Sequence, residues 1–186
     1  NTNDATIFEM FMEKNMIKDI IGLTAQNNRI VNISIFKGFS LLLTNISNKD
    51  YLLFLFSNNY INRLLCLPYD NSDADFVYYY INFIKSLAMK IDTQTINYFF
   101  NQKYFAFPLL MNALKLYNYP DQMITNVVRT ILLSIIKLNH PPVEEFLFSL
   151  PCLSYYVFIA CRFRDTIKAL QRKIIRRKMN EVNLLN

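Results

Sequence analysis

The sequence predicts an all-α protein of the armadillo/HEAT-like solenoid class, and two observations carry that expectation. The first is a block that recurs at a constant offset of 44 residues: Phe11, Ile17, Ile20 and Ile21 step to Leu55, Ile61, Leu64 and Leu65. A looser third copy follows at Phe99, Phe105, Pro108 and Leu109. The second is a set of triplets at the same offset, Phe36-Phe39-Leu43, Tyr80-Phe83-Leu87 and Ile124-Val127-Ile131, each spaced three then four so that it forms one helix face. A period of about 40–47 residues without strand signals marks helical units that cannot bury their apolar faces alone and must stack. Such surfaces bind more often than they catalyse.

Punctuation sets the elements in order. A helical segment from about Thr6 to Thr24, with a break near Lys14-Asn15, ends in the polar turn Gln26-Asn27-Asn28. Arg29 to Ile46 reads as the next helix. Lys49–Ser57 and Asn59–Leu67 read as two short ones joined at Asn58-Asn59, with Pro68 stopping the second. Asn71-Ser72-Asp73 supplies N-cap candidates for a helix to about Ile91. Asp92 or Thr93 caps a predicted helix to about Lys103, and Pro108 suits the first turn of the following one, where its missing N–H costs nothing. Pro120-Asp121 opens a helix to about Leu138. After the break at Pro141-Pro142, helices are expected near Val143–Ser149 and from about Cys152 towards Met179. The chain therefore divides into repeats over 1–140 and a helical extension over 141–186.

Composition narrows the function classes. Cys66, Cys152 and Cys161 are odd in number and have no short pairing, which argues for a reducing compartment rather than a disulfide scaffold. No charge-free apolar run reaches about 18 residues and no basic-then-apolar leader is present, so neither a membrane span nor a signal peptide is expected. The chain opens without Met inside the pattern Thr6-Ile7-Phe8, as a piece of a longer protein would. Its wealth of Asn, Ile and Phe, with two Gly, is what an A+T-rich coding sequence produces as readily as selection for function.

The residues of common chemistries are sparse. One histidine, His140, gives no imidazole network and reads as a turn residue before Pro141. Gly22 and Gly38 build no phosphate-cradling loop. Asp70, Asp73 and Asp75 lack the glycine and distal glutamate of a calcium loop and read as a helix start favoured by the dipole. Cys66 reads as a small buried hydrophobe. No catalytic, cofactor-binding or metal-binding residue is assigned, and no enzymatic activity is expected.

Charge is the sharper signal. Arg162, Arg164, Lys168, Arg172, Lys173, Arg176, Arg177 and Lys178 face only Asp165 in the same stretch, a net +7, whereas the remaining 12 basic and 13 acidic residues net −1. Phe163, Ile167, Leu170 and Ile174 recur at four, three and four, an apolar stripe suited to capping the solenoid while the basic residues crowd the other face. A solvated outer face of a capping helix is one reading. Contact with anionic lipid or an acidic protein partner is the functional one. Nucleic acid ranks last, because exposed aromatics are not interleaved with the basic residues.

Phe107-Pro108-Leu109 and its surroundings resemble the FPL domain family. Phe11-Met12-Glu13-Lys14-Asn15-Met16, Phe56-Ser57-Asn58-Asn59-Tyr60-Ile61-Asn62, Tyr79 to Leu87 and Val128-Arg129-Thr130-Ile131 agree with the same family, in its order, over roughly residues 8–139. The resemblance implies an armadillo-like, non-enzymatic scaffold in the cytoplasm, peripheral on endosomal and lysosomal membranes, with protein partners in trafficking and autophagy and no small-molecule substrate. It carries no catalytic residues, cofactor or sugar site. Recognition within a ubiquitin-ligase assembly, or a generic adaptor role in a nucleic-acid complex, are the competing functions. Within the tripeptide, Phe107 and Leu109 are expected to pack between units while Pro108 starts a helix. The alternative is a peptide groove lined by Phe105, Phe107 and Leu110.

Overall fold

A computed structural model describes residues 2–184, with side chains from 8 to 177. Every named element is helical: α1 (Thr2–Glu13), α2 (Met16–Gly22), α3 (Arg29–Asn45), α4 (Lys49–Ser57), α5 (Tyr60–Leu65), α6 (Ala74–Ala88), α7 (Pro108–Leu114), α8 (Gln122–Ile136), α9 (Pro141–Leu147) and α10 (Leu150–Leu184), with 3₁₀ turns at Leu23–Gln26 and Thr95–Tyr98. The chain divides into two compact units, residues 1–146 and 147–186.

Local chemistry explains the starts and stops. Asn28 accepts from the Ile30 and Val31 amides, Asn48 from Asp50, Asp73 from Phe76 and Asp121 from Met123, so four helices open on a side-chain cap. Between α1 and α2, and again between α4 and α5, one asparagine takes left-handed backbone: Asn15 at φ 48° and Asn59 at φ 58°. Asn27 and Asn139 do the same, and neither glycine does. Short polar asparagine tolerates this region because its side chain bonds locally.

The core of the first unit lies where α6 packs against both α3 and α8. Phe36 on α3 is fully buried, its ring 5.3–5.4 Å from those of Phe76, Tyr80 and Phe83 on α6. All nine residues of the three triplets are buried. Polar bonds join the same neighbours. Arg29 grips Asp73 (2.7 Å) and Asp75 (3.1 Å), Lys90 donates to the Ile46 carbonyl (2.7 Å), and Lys49 reaches Asp92 (3.0 Å) and Gln94 (2.8 Å). The Arg29 bond and the Phe76 amide hold the Asp73 carboxyl below its ordinary range. The Thr95 amide, with Lys49 adding to it, does the same at Asp92.

One carbonyl collects two buried donors. Leu65 O, at the end of α5, accepts from the Tyr80 hydroxyl at 2.6 Å and from Asn112 Nδ2 at 2.7 Å. Burial pushes the Tyr80 phenol far up, so it stays a donor. Tyr80→Phe and Asn112→Ala are each expected to cost about 1 kcal/mol, since the other donor still satisfies the carbonyl. The double variant orphans it and is expected to exceed the sum by about 1–2 kcal/mol. A double-mutant cycle from urea unfolding checks this, and strict additivity would overturn it.

Two expectations are corrected. The helix predicted to run to Lys103 is only the turn at Thr95–Tyr98, followed by an irregular loop closed by an isolated bridge between Asn101 and Ala106. Adjacent Phe99 and Phe100 are both buried but in different directions, Phe99 on Phe56 (4.8 Å) and Phe100 on Phe107 and Phe146 (5.7 Å each), and an irregular backbone serves both. Cys66 is exposed rather than buried, because it follows α5 at its C-cap while Leu64 and Leu65 take the inward positions.

Candidate functional site

The basic residues lie on α10, a 35-residue helix. Pro151 falls in its first turn, where no intrahelical bond is lost. On the face that carries buried Cys152, apolar side chains recur at 152, 156, 159 and 163 and then at 167, 170 and 174. This is two repeats of a four-three-four spacing, an 11-residue period of 3.67 per turn, close to that of an α-helix. The stripe therefore stays on one side along the helix.

Its distal half is not covered. Phe163, Ile167, Leu170 and Ile174 are between 40% and 67% exposed. Arg164, Lys168, Arg172, Lys173, Arg176 and Arg177 are exposed too. The Lys178 side chain lies outside the described residues. Arg162 stacks over the Phe158 ring at 5.7 Å, and Arg164 pairs with Asp165 at 3.3 Å, an exposed contact of little energetic weight. Lys168, Arg172, Lys173, Arg176 and Arg177 have no acidic partner among the described residues. Around the helix, Arg164 and Arg177 flank the stripe on opposite edges, which places cationic ends beside apolar side chains along its length.

The other singled-out residues sit elsewhere. Phe107 and Leu109 are buried and Pro108 is the first residue of α7. Phe107 packs on Phe100 (5.7 Å) and Phe146 (6.0 Å). Phe105 joins the cluster through a left-handed backbone, φ 47°, that brings its ring to 5.2 Å from Phe146. With Phe107 and Leu110 both buried, the groove considered for Phe105, Phe107 and Leu110 is closed. The His140 carbonyl accepts the Val143 and Glu144 amides and so opens α9. Among the described residues no cluster of His, Cys, Asp or Glu has the geometry to hold a metal ion. Among the described residues no single helix is long and apolar enough to cross a membrane.

Residues 1–136 match the family model for FPL, described as an uncharacterised conserved protein. The chain belongs to the FPL family. Similar relatives include the CLEC16A homolog of Caenorhabditis elegans, 36% identical over 137 residues, and Protein CLEC16A of Homo sapiens, 35% identical over 138 residues, each alignment covering 74% of this chain. Protein TRANSPARENT TESTA 9 of Arabidopsis thaliana is 24% identical over 177 residues, 93% of this chain. The matched stretches span only 15%, 13% and 21% of those proteins' own lengths. No solved structure matches. The FPL match ends before α9, so α10, which carries the basic face, lies beyond it.

Proposed function

We propose that this FPL chain is a non-catalytic scaffold in endosomal trafficking and autophagy, cytoplasmic and peripheral on endosomal or lysosomal membranes. Residues 1–140 form stacked armadillo/HEAT-like units, and residues 141–186 present the basic helix to protein partners and anionic membrane. The observation that carries the reading is α10, where an exposed apolar stripe runs beside exposed basic side chains, five of which have no acidic partner among the described residues. A helix that only solvates the end of a stack has no use for exposed Phe163, Leu170 and Ile174. Phe107, Pro108 and Leu109 hold the units together and take no part in recognition.

The stacked arrangement draws support from residues one period apart. Asn15 and Asn59 share left-handed backbone and join equivalent pairs of short helices. Asn48 and Asp92 accept amide hydrogens at equivalent starts. Arg29 bonds Asp73 and Lys90 bonds Ile46, each across 44 positions, so successive periods are neighbours.

Proximity labelling from the full-length protein in its native cell tests the role. Endosomal and lysosomal proteins are expected among those enriched, and their loss on reversing the charge of α10 assigns recruitment to that helix. Enrichment of nuclear or ribosomal proteins instead would overturn the trafficking reading. Enrichment confined to ubiquitin-conjugating machinery would replace it with a ligase assembly.

A further inference from the structure

The first unit holds a cleft of a different chemistry. It has a volume of about 540 Å³ and lies between α5 and the loop after the turn at Thr95–Tyr98. Asn59, Asn62, Asn97, Asn101 and Gln102 line it together with the exposed ring of Tyr104. Among the described residues no charged side chain does. The volume is within the range of small-ligand and peptide sites.

The carboxamides are held in place yet retain bonding capacity. Asn62 Nδ2 donates to Asn59 Oδ1 and to the Tyr98 carbonyl, both at 2.8 Å. The Tyr98 carbonyl can only accept, which fixes the Asn62 amide's orientation. Asn62 Oδ1 is then buried with no hydrogen-bond partner. Asn101 is anchored through its backbone to Ala106 (2.8 and 3.0 Å) while its Oδ1 accepts from the Tyr104 amide (3.2 Å). The side chains of Asn97 and Gln102 spend neither donor nor acceptor on the protein.

We infer that this cleft binds an extended, uncharged peptide segment of a partner protein, an inference that rests on the scaffold reading and specifies one of its surfaces. A carboxamide carries a donor and an acceptor side by side, as a peptide group does, so the unspent side chains of Asn97 and Gln102 can each pair with the N–H and C=O of an extended strand. Main-chain bonds of this kind hold a peptide irrespective of most of its side chains. The tyrosine ring supplies apolar area at low entropic cost. Among the described residues no charged side chain lines these walls to recruit an anionic ligand; Lys103, next to them, holds its Nζ 5.5 Å from the centre of the Tyr104 ring. A polyol would draw on the same carboxamides and ring, and the sugar arm of the test separates it from a peptide.

The test is a random heptapeptide phage library panned on the purified chain, with enriched sequences synthesised and titrated by fluorescence anisotropy. Asn97→Ala/Gln102→Ala removes two exposed, unbonded amides without disturbing a contact. An uncharged peptide is expected to bind, to weaken at least tenfold in that variant, and to bind Arg172→Glu/Lys173→Glu as it does the parent. No enrichment, or affinity indifferent to Asn97 and Gln102, overturns the inference. Peptides that instead depend on Arg172 and Lys173 also overturn it, while leaving a scaffold that works through α10. Maltotriose binding in the cleft with the same dependence on Asn97 and Gln102, and no peptide binding, would make it a sugar site and overturn the inference as well.

Discussion

Replacing Phe36 with alanine is expected to lower the unfolding free energy by about 3–5 kcal/mol. The side chain is fully buried, and three aromatic rings of α6 lie about one ring-contact distance from it. Those rings belong to one helix and are held by their own backbone, so they cannot all move in to fill the space. The loss thus combines transfer of the phenyl group to water with an unfilled void. Domains of this size are stable by about 5–15 kcal/mol, so the variant is expected near the margin of folding. Urea unfolding followed by circular dichroism measures the effect. A change under about 1 kcal/mol would mean that α3 and α6 are not close-packed. Phe163→Ala, on the exposed stripe, is the contrast, expected within about 0.5 kcal/mol of the parent.

Reversing Arg172, Lys173, Arg176, Arg177 and Lys178 to glutamate is expected to weaken flotation with phosphatidylserine-containing liposomes by at least about a hundredfold. Each basic residue near an anionic surface contributes ~1 kcal/mol, and a tenfold change in partition is about 1.4 kcal/mol. Five reversals remove that attraction and add repulsion, so the estimate is a lower bound. The apolar stripe supplies the second component, because an interfacial helix binds through buried apolar area as well as charge. Phe163→Ala with Ile174→Ser is therefore expected to weaken flotation without changing its salt dependence, whereas the glutamate variant is expected to lose that dependence. Equal flotation of parent and glutamate variant would leave the basic face as ordinary solvated surface.

Most helix boundaries were legible because they depend on short-range chemistry. Asn28, Asp73 and Asp121 are strong caps beside apolar runs at helical spacing, and the structure uses all three. The region 99–107 was not legible, because two adjacent buried phenylalanines carry no periodicity and their partners, Phe56 and Phe146, are 43 and 46 positions away. The stripe on α10 was visible, but burial depends on what lies opposite a helix, which spacing does not encode. The carboxamide cleft went unread for a similar reason. Asn59 and Asn62 are one helical turn apart, and Asn97, Asn101 and Gln102 follow about one period later. In a chain rich in asparagine that pattern merges with background composition until folding brings the two groups together.

The asparagines at the joints have a consequence in the unfolded chain. A left-handed position is most easily filled by glycine, which also loses the most backbone freedom on folding. With Asn15, Asn27, Asn59 and Asn139 in those positions, each joint begins from a narrower ensemble. The left-handed bend is slightly strained, but less disorder is surrendered to reach it. A protein with two glycines in 186 residues thus carries part of its stability in conformations it never visits when unfolded.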